Sequence, residues 1–308
     1  MSVLRVYPAL EDDLFIRLFH KGARSQWTAS DMPWDIPLQF NPQQARALAH
    51  MLTPVYLGEQ SAMIGASAAL PQMAMSGETS AQIYLASFLM DEARHFEVLT
   101  RFYQRIQEDP LSVRQMPEML RYHHRLRQGD RVDWVWGILI SDIFAKNFYQ
   151  MFARSSPDAL FGKLSARILL DESRHQAFAE HYLKRAVPHL PRDRMTALIG
   201  LRDDLLQTMD DMHARLRDEA DRLNLDGREF LDRLRAEIEQ KARRIGIAEP
   251  PSEDNNDSRH RVFGGFGQQV KTAVKDLSEK FQAITARHCD TCFVALLCQT
   301  RLIAAARC

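Results

Sequence analysis

Two nearly identical stretches, MDEARHFE at 90–97 and LDESRHQA at 170–177, constrain the fold more than any other feature of this sequence. Each interrupts an apolar helical pattern with an Asp, a Glu, an Arg and a His. Residues three and four apart on a helix share a face, so the Glu and the His of each copy fall inside the apolar stripe. A buried carboxylate needs a proton or a counter-charge. The repeat therefore predicts two core helices that hold a bound ion.

Two further acidic residues have the same setting on two other predicted helices. Glu59 lies among apolar positions of a helix near 42–70, and Asp142 lies among those of a helix near 131–154. Each half of the chain thus supplies one lone acid about thirty residues before its D-E-x-R-H motif, which indicates two related helical hairpins. Glu-x-x-His on two helices and one acid on each of two others is the dimetal-carboxylate arrangement of a four-helix bundle. We predict six catalytic metal ligands: Glu59, Glu92, His95, Asp142, Glu172 and His175.

Charge balance favours a pair of divalent ions at this site. Two such ions match four carboxylates, and two neutral imidazoles add no charge. A mixed oxygen and nitrogen ligand set suits iron or manganese better than a thiolate-binding metal, so the predicted cofactors are two Fe ions, or Mn and Fe, together with O₂. The alternative is that each Glu is a surface residue paired with Arg94 or Arg174, because a single E-x-x-H is a weak motif. Two copies inside apolar stripes favour the metal site.

The rest of the chain is predicted to be all-α. Thirteen glycines and little strict alternation argue against sheets. Helix-start signals occur at Asn41, which precedes a proline and a capping-box glutamine, and at 156–158 and Asp226. Pro54 is expected to kink the first helix or to mark its true start. The predicted helices are 42–70, 79–108, 131–154, 157–187, 191–224 and 227–244.

A change in composition divides the chain into two predicted domains. Residues 1–245 are assigned to the dimetal helical bundle, and 246–308 to a linker and a C-terminal helical appendage of unknown role. All four cysteines lie in the appendage, and one C-x-x-C joins Cys289 and Cys292. A zinc or redox role is possible, but without a second C-x-x-C we favour incidental helix-face thiols.

Charge and hydropathy exclude several classes of partner. Forty basic and forty acidic residues cancel, so neither nucleic-acid binding nor attraction to a membrane surface is expected. No apolar run approaches the roughly 18–20 residues that span a bilayer, and the N-terminus has no secretory h-region. We therefore expect a cytoplasmic protein without a membrane span.

The motifs resemble those of the ferritin-like dimetal-carboxylate oxidoreductases, closest to the ribonucleotide reductase small subunits and the ligand-binding oxidases. DEARHFEVLTRFY (91–103) and DESRHQAF (171–178) match the two ligand helices, and SQWTASDMPWD (25–35) resembles a tryptophan-containing segment that precedes the bundle. The resemblance covers about residues 15–190. It implies a ferritin-like four-helix bundle with additional helices. It also implies that Glu59, Glu92 and His95 serve one metal and that Asp142, Glu172 and His175 serve the other, with some carboxylates bridging.

Four residues around the ligands are predicted to support them. Metal-bound histidines normally donate their second N–H to a carboxylate, and Asp91 and Asp171 are placed to accept it. Trp27 would correspond by resemblance to a buried tryptophan near the metals, although ordinary packing is the alternative. Lys146 lies one turn after Asp142 and is either a solvated lysine or a partner of a ligand carboxylate.

Two departures from the family pattern restrict what can be carried over. The radical tyrosine of the reductase subunits would fall at Leu99, and the cross-linked tyrosine of the ligand-binding oxidases would fall at Gly137. Neither signature chemistry is therefore expected. The predicted lining of a substrate cavity, for which plain core packing is the alternative, is Ala62, Met63, Ala66, Phe88, Leu99, Ile138 and Tyr149.

The function predicted is that of an O₂-dependent dimetal oxidase or monooxygenase that acts on a small, largely apolar organic substrate. An electron donor is a required partner, and a homodimer is a possible assembly. The leading alternative is a radical-generating subunit for a larger partner, against which Leu99 argues. A non-enzymatic iron-handling bundle is a third hypothesis.

Overall fold

Nine α-helices and no strands make up the part of the chain that is described, residues 9–155 and 158–247 of a computed structural model. The all-α prediction is confirmed. In chain order the helices are α1 (Asp13–Arg24), α2 (Pro42–Met75), α3 (Thr79–Ile106), α4 (Pro117–Leu126), α5 (Arg131–Ser155), α6 (Ala159–Ala186), α7 (Arg192–Arg215), α8 (Arg217–Arg222) and α9 (Gly227–Ile245).

The predicted helix starts are set by polar caps. The Asn41 side chain accepts a hydrogen bond from the Gln44 backbone N–H, and Gln44 Oε1 accepts one from the Asn41 N–H, which closes a capping box at α2. Asp158 accepts from the backbone of Phe161 at α6, and Asp226 caps α9 in the same way. Pro54 does not interrupt α2, which runs continuously through it with the proline buried.

Two long hairpins form the centre of the described helical bundle. α2 packs against α3 and α5 packs against α6, while contacts of α2 with α5 and of α3 with α6 join the two pairs. This is the four-helix bundle that the motifs predicted. The core inside it is aromatic and aliphatic, with Phe102, Phe148 and Phe161 nearly inaccessible to solvent.

The additional helices cover the two hairpins unequally. α1, which the sequence analysis missed, crosses α3 and α6. α4 was also missed and packs on α7, while α7 and α9 lie against α5. The single helix predicted at 191–224 is divided at Leu216 into α7 and α8. Among the described helices, none combines the length and the apolar character needed to cross a membrane.

All but the first two residues of the predicted C-terminal appendage lie outside the described residues. The domain boundary at 245/246, the linker, the segment 268–306 and the cysteine pair at 289 and 292 therefore stay predictions.

Candidate metal centre

The structure brings the six predicted ligands together inside the bundle. Ligand atoms of Glu59, Glu92, His95 and Glu172 lie within 4.8 Å of one another, and those of Asp142, Glu172 and His175 form a second such group. All six side chains are buried, with exposed fractions of 0–5%. Because Glu172 belongs to both groups, the two clusters are adjacent and share one carboxylate.

Each histidine presents one ring nitrogen to the carboxylates of the cluster. His95 Nδ1 lies 3.3 Å from Glu59 Oε2 and 3.7 Å from Glu172 Oε1. His175 Nδ1 lies 3.1 Å from Glu92 Oε1 and 3.7 Å from Glu172 Oε2. The rings are close to each other, with centroids 5.9 Å apart. Nitrogen and oxygen atoms therefore converge on one small buried volume.

Several polar atoms of the cluster have no hydrogen-bond partner within the described chain. They are Glu92 Oε1, Asp142 Oδ2, Glu172 Oε2 and His175 Nδ1; the first and the last lie 3.1 Å apart without the geometry of a hydrogen bond. Buried polar atoms are almost always satisfied, and leaving one unsatisfied costs about 1–3 kcal/mol. Four such atoms that face one another fit a site whose missing partners are cations, so the residues present suit a pair of metal ions.

Protons must balance the carboxylates when no cation does. Burial raises the pKa of Glu92 well above its usual range, and the nearby charge of Glu59 raises it further. Burial and the charge of Glu172 act in the same way on the pKa of Asp142. Although burial lowers the pKa of His95, the neighbouring Glu59 raises it well above 6.5 overall. Without metal, the side chains of the cluster thus hold protons, and a cation would have to displace these protons in order to bind.

The second nitrogen of each histidine faces an aspartate of the opposite motif. His95 Nε2 lies 3.2 Å from Asp171 Oδ2, and His175 Nε2 lies 3.4 Å from Asp91 Oδ2. The Asp of each D-E-x-R-H motif is therefore hydrogen-bonded to the His of the other motif. In this geometry each aspartate can accept a hydrogen bond from Nε2–H, while Nδ1 is directed at the cluster.

Two buried arginines hold those aspartates in place. Arg174 Nη2 donates to Asp91 Oδ2 at 2.9 Å and to Asp171 Oδ1 at 2.6 Å. Arg94 donates to the same two carboxylates and also to Gln26 and the Trp27 carbonyl. Burial raises the pKa of Asp171, but His95 and Arg174 outweigh it and bring that pKa below its ordinary value. Both aspartates are consequently ionised and placed to accept a hydrogen bond from an imidazole N–H.

Trp27 is hydrogen-bonded into this network. Its Nε1 donates to Asp171 Oδ2 at 2.8 Å, and its ring stacks near His95 with centroids 6.3 Å apart. The Arg94 guanidinium lies 5.0 Å from the centre of the indole ring. A continuous polar contact therefore runs from Trp27 through Asp171 to His95.

Comparison with known proteins gives a match at the level of the fold. No protein-family model matches the sequence, and no curated protein matches it either. Among solved structures, an R2-like ligand-binding oxidase with an aerobically reconstituted Mn/Fe cofactor has a TM-score of 0.63 at 18% identity, covering 77% of this chain and 94% of that one. Another, described with an aerobically reconstituted metal cofactor after photoconversion, has a TM-score of 0.64 at 18% identity, with coverages of 77% and 95%.

This chain has the R2-like oxidase fold. The likeness spans nearly the whole of those structures and agrees with the ferritin-like fold predicted from the motifs. With an identity of 16–19%, the shared property is the architecture.

The two departures noted in the sequence have structural counterparts within this fold. Leu99 is fully buried in the hydrophobic core. Gly137 faces α4, and a Cβ atom at this position would lie 2.0 Å from Leu126 Cδ2. The space that a tyrosine would need at 137 is thus taken by the packing of α4 on α5.

Lys146 does not reach a ligand carboxylate. Its ammonium is partly exposed and forms an ion pair with Glu237 of α9. Asn147, the next residue, donates to the same Glu237 at 3.0 Å. Lys146 therefore attaches α9 to α5, and we withdraw its assignment as a residue that supports the metals. The sequence could not show this, since the partner lies 91 residues away.

The predicted cavity residues fall into two sets. Phe88 packs on the His175 ring with centroids 4.3 Å apart, and the Tyr149 hydroxyl donates to Glu59 Oε1 at 2.9 Å. These two touch the cluster. Ala66, Leu99 and Ile138 are buried, whereas Ala62 and Met63 are half-buried, and their role as a cavity lining stays a prediction.

One neighbour of the cluster was missed. Tyr84 is buried, its hydroxyl has no partner in the described chain, and its ring stacks on Phe178 at 4.3 Å. Tyr84 precedes Phe88 by one turn on the apolar face that carries Glu92. Helical spacing alone could have identified it.

Proposed function

We propose that this chain is an oxidoreductase that uses a dimetal centre and O₂ to oxidise a small, largely apolar organic molecule. The observation that carries the proposal is the pair of buried ligand groups that share Glu172. Four polar atoms of these groups form no hydrogen bond in the described chain. Glu59, Glu92, His95 and Glu172 would hold one ion, and Asp142, Glu172 and His175 the other.

The proposed cofactor is two Fe ions, or Mn and Fe. Carboxylate and imidazole ligands favour these metals over softer ones. The Mn/Fe cofactors of the structural neighbours belong to those proteins, and they support the proposal by similarity of fold. When bound, such a pair supplies the electrons and the oxidising power for O₂ chemistry.

The residues around the cluster would prepare it for this task. With a cation bound at Nδ1, Asp91 and Asp171 would accept hydrogen bonds from the Nε2–H groups of the two histidines and so orient the rings. Arg94 and Arg174 keep those aspartates ionised. Burial of the whole group excludes bulk water, which would otherwise weaken the electrostatic interactions of the site and allow side reactions.

The overall reaction needs an external reductant. In a hydroxylation, R–H, O₂, two electrons and two protons give R–OH and water, so one C–H bond is replaced by a C–O bond and the second oxygen atom leaves as water. A redox partner of low potential must supply the two electrons. Desaturation and heteroatom oxidation are further outcomes that the same cofactor could support.

A radical-generating subunit is the second candidate. The observation in its favour is Tyr149, an oxidisable phenol hydrogen-bonded directly to Glu59. Burial raises the pKa of Tyr149 well above 10, and Glu59 raises it further, so this phenol stays protonated until it is oxidised.

Metal analysis followed by single-turnover oxidation tests the proposal. Protein loaded with Fe or with Mn and Fe under anaerobic conditions should bind two ions per chain and should consume O₂ when it is exposed to air. Rapid-quench analysis with a panel of small apolar compounds should then give an oxidised product. A long-lived organic radical in high yield without substrate, and no product with any compound, would favour the second candidate. Failure to bind any metal would overturn both.

A further inference from the structure

Cations without partners gather on the outer side of α1. Residues 14–30 contain Arg17, Lys21 and Arg24 but no Asp or Glu, and Asp13 in the first turn is the one acidic residue of the helix. The three cations are exposed, and their side chains form neither a hydrogen bond nor an ion pair within the described chain. Since they recur every three or four residues, they share one face of α1.

The neighbouring part of α6 extends this surplus of positive charge. Residues 159–170 contain Lys163 and Arg167 and no acid, and both side chains are exposed and unpaired within the described chain. Arg167 lies two turns before Arg174 on one stripe of α6. Arg174 in turn lies against α1, because a Cβ atom at Gly22 would lie 3.3 Å from Arg174 Nε. The cations of the two helices therefore adjoin.

Helix stability alone does not explain these cations. Lys21 and Arg24 lie in the last turn of α1, where a cation interacts favourably with the helix dipole. Arg17 and Arg167 lie in the interiors of their helices and gain no such interaction. Two arginines of α4, by contrast, pair with aspartates of α7. The unpaired charge beside α1 thus indicates an anionic partner outside the described chain.

Exposed apolar side chains flank α1 on both sides. Met90 of α3 is 62% exposed and Leu170 of α6 is 59% exposed. Each lies one turn before an arginine that contacts the C-terminal part of α1 or the residues directly after it, namely Arg94, which bonds to Gln26, and Arg174. We call this surface the α1 face and define it by Arg17, Lys21, Arg24, Met90, Arg167 and Leu170.

The arrangement of charge on the α1 face differs from that of a protein interface. Protein interfaces have an apolar centre that is depleted of charge and a polar rim, whereas here cations follow α1 and the apolar side chains lie beside it. A nucleic acid would offer phosphates to the cations but no apolar partner to Met90 and Leu170. A bilayer of anionic phospholipids offers both, because its charged headgroups border an apolar layer.

We propose that the α1 face binds the surface of an anionic phospholipid bilayer. α1 would lie along the membrane plane, with its cations among the headgroups and with Met90 and Leu170 directed at the less polar part of the interface. The zero net charge, from which no attraction to a membrane was expected, is a sum over the whole chain and does not reveal a local surplus. The contact is peripheral, since none of the described helices could cross the bilayer.

The number of cations suits a reversible contact that depends on salt. Each Lys or Arg beside an anionic bilayer strengthens partitioning by about fivefold. The four cations that define the α1 face would together strengthen it by roughly several hundredfold. Salt weakens such an attraction, because the screening length falls from about 10 Å at 0.1 M to about 3 Å at 1 M ionic strength.

Co-sedimentation of the full chain with lipid vesicles tests this inference. The wild-type chain should pellet with vesicles of equal parts phosphatidylglycerol and phosphatidylcholine, should be released by high salt, and should stay in solution with phosphatidylcholine alone. Arg17→Glu and, separately, Arg167→Glu should each weaken partitioning by more than about tenfold, because each reverses a charge of the α1 face. Leu170→Ser should weaken it by a smaller factor.

Arg228→Glu is the matched control. Arg228 is exposed and unpaired on α9, so its reversal changes the net charge equally and should leave binding as it is. Circular dichroism identifies any variant that fails to fold.

Four results would overturn the inference: no binding of the wild type to the anionic vesicles, equal binding to pure phosphatidylcholine, binding that survives both charge reversals, or an equal loss in Arg228→Glu. Fluorescence anisotropy with labelled duplex DNA and labelled polyglutamate provides a further check. Tighter binding to either polymer than to the vesicles would assign the α1 face to a nucleic acid or an acidic protein instead. None of these measurements depends on bound metal, so the proposed function and this inference can fail separately.

Discussion

The α2–α3 and α5–α6 hairpins carry the same D-E-x-R-H motif, but different helices pack on their outer sides. Inside, each contributes Asp, Glu, Arg and His at matching positions, and the crossed contacts of His95 with Asp171 and His175 with Asp91 make the halves interdependent. Outside, α7 and α9 pack on α5 and α9 also packs on α6, whereas α1 packs mainly on α3 and α8 packs on α2. This difference indicates that the metal site determines the residues on the inner faces of the hairpins, whereas the residues on the outer faces depend on which helices pack against them.

The halves also contribute unequally to the cluster, and this yields the largest predicted effect. Glu172 of the second hairpin belongs to both ligand groups, whereas Glu59 and Glu92 of the first hairpin, like Asp142, each belong to one. We expect Glu172→Ala to reduce bound metal from about two ions per chain to well below one, and Asp142→Ala to leave about one. Mass spectrometry of metal-loaded protein measures both.

Glu97→Ala serves as the control, because Glu97 is exposed and pairs with Arg101 on the same helix. It should bind metal like the wild type. Equal losses from Glu172→Ala and Asp142→Ala would show that the two groups do not share a carboxylate as described.

Removal of either buried arginine should be the next largest effect. Arg174 is 2% exposed and Arg94 is 8% exposed, and each bonds to Asp91 and Asp171. Deleting one partner leaves buried carboxylates uncompensated, so Arg174→Ala should lower the free energy of unfolding by about 3–5 kcal/mol. Arg94→Ala should cost somewhat less, since its site is more accessible.

Urea unfolding of the metal-free variants measures these changes in the free energy of unfolding. Arg101→Ala, at an exposed position, is the reference and should change stability by less than about 1 kcal/mol. If Arg174→Ala is no more destabilising than Arg101→Ala, the arginines do not hold the halves together.

A histidine on α4 links the halves in a pH-dependent way. His123 Nδ1 lies 3.1 Å from Ser61 Oγ of α2, and its ring meets Trp134 of α5 edge-on. Burial lowers the pKa of His123 to about 4. Below pH 6.5 the unfolded chain binds this proton and the folded chain does not, so stability should fall as pH drops from about 6.5 to about 4.

The expected loss is roughly 3 kcal/mol across that window, and His123→Gln should flatten this part of the profile. His124→Gln, at the exposed neighbouring position, should leave the profile as it is. An identical pH dependence in His123→Gln and the wild type would show that His123 does not cause the loss of stability at low pH.

The smallest effect is expected at the contact that α9 makes with the second hairpin. The ion pair of Lys146 with Glu237 is partly exposed, so Lys146→Met should change stability by no more than about 1 kcal/mol. Metal content should stay at the wild-type value. A loss of metal in this variant would restore the interpretation of Lys146 as a partner of the ligands.

Sequence reasoning predicted the inner faces and missed most of the outer ones, for physical reasons. Glu92 and His175 could be identified because an ionisable residue inside an apolar stripe is costly unless something binds it. The hydrogen bond between His95 and Asp171 could not be predicted, because it depends on how two distant helices approach each other. Lys146 was assigned wrongly for the same reason, since its partner Glu237 lies on a helix whose docking no local pattern encodes.

Anomalous diffraction from crystals of the metal-loaded chain, recorded at the iron and manganese absorption edges, tests the central claim most directly. The account predicts two peaks inside the bundle, one bound by Glu59, Glu92 and His95 and the other by Asp142 and His175, with Glu172 touching both. No peak among these side chains, or metal bound elsewhere while the six residues stay together, would contradict it.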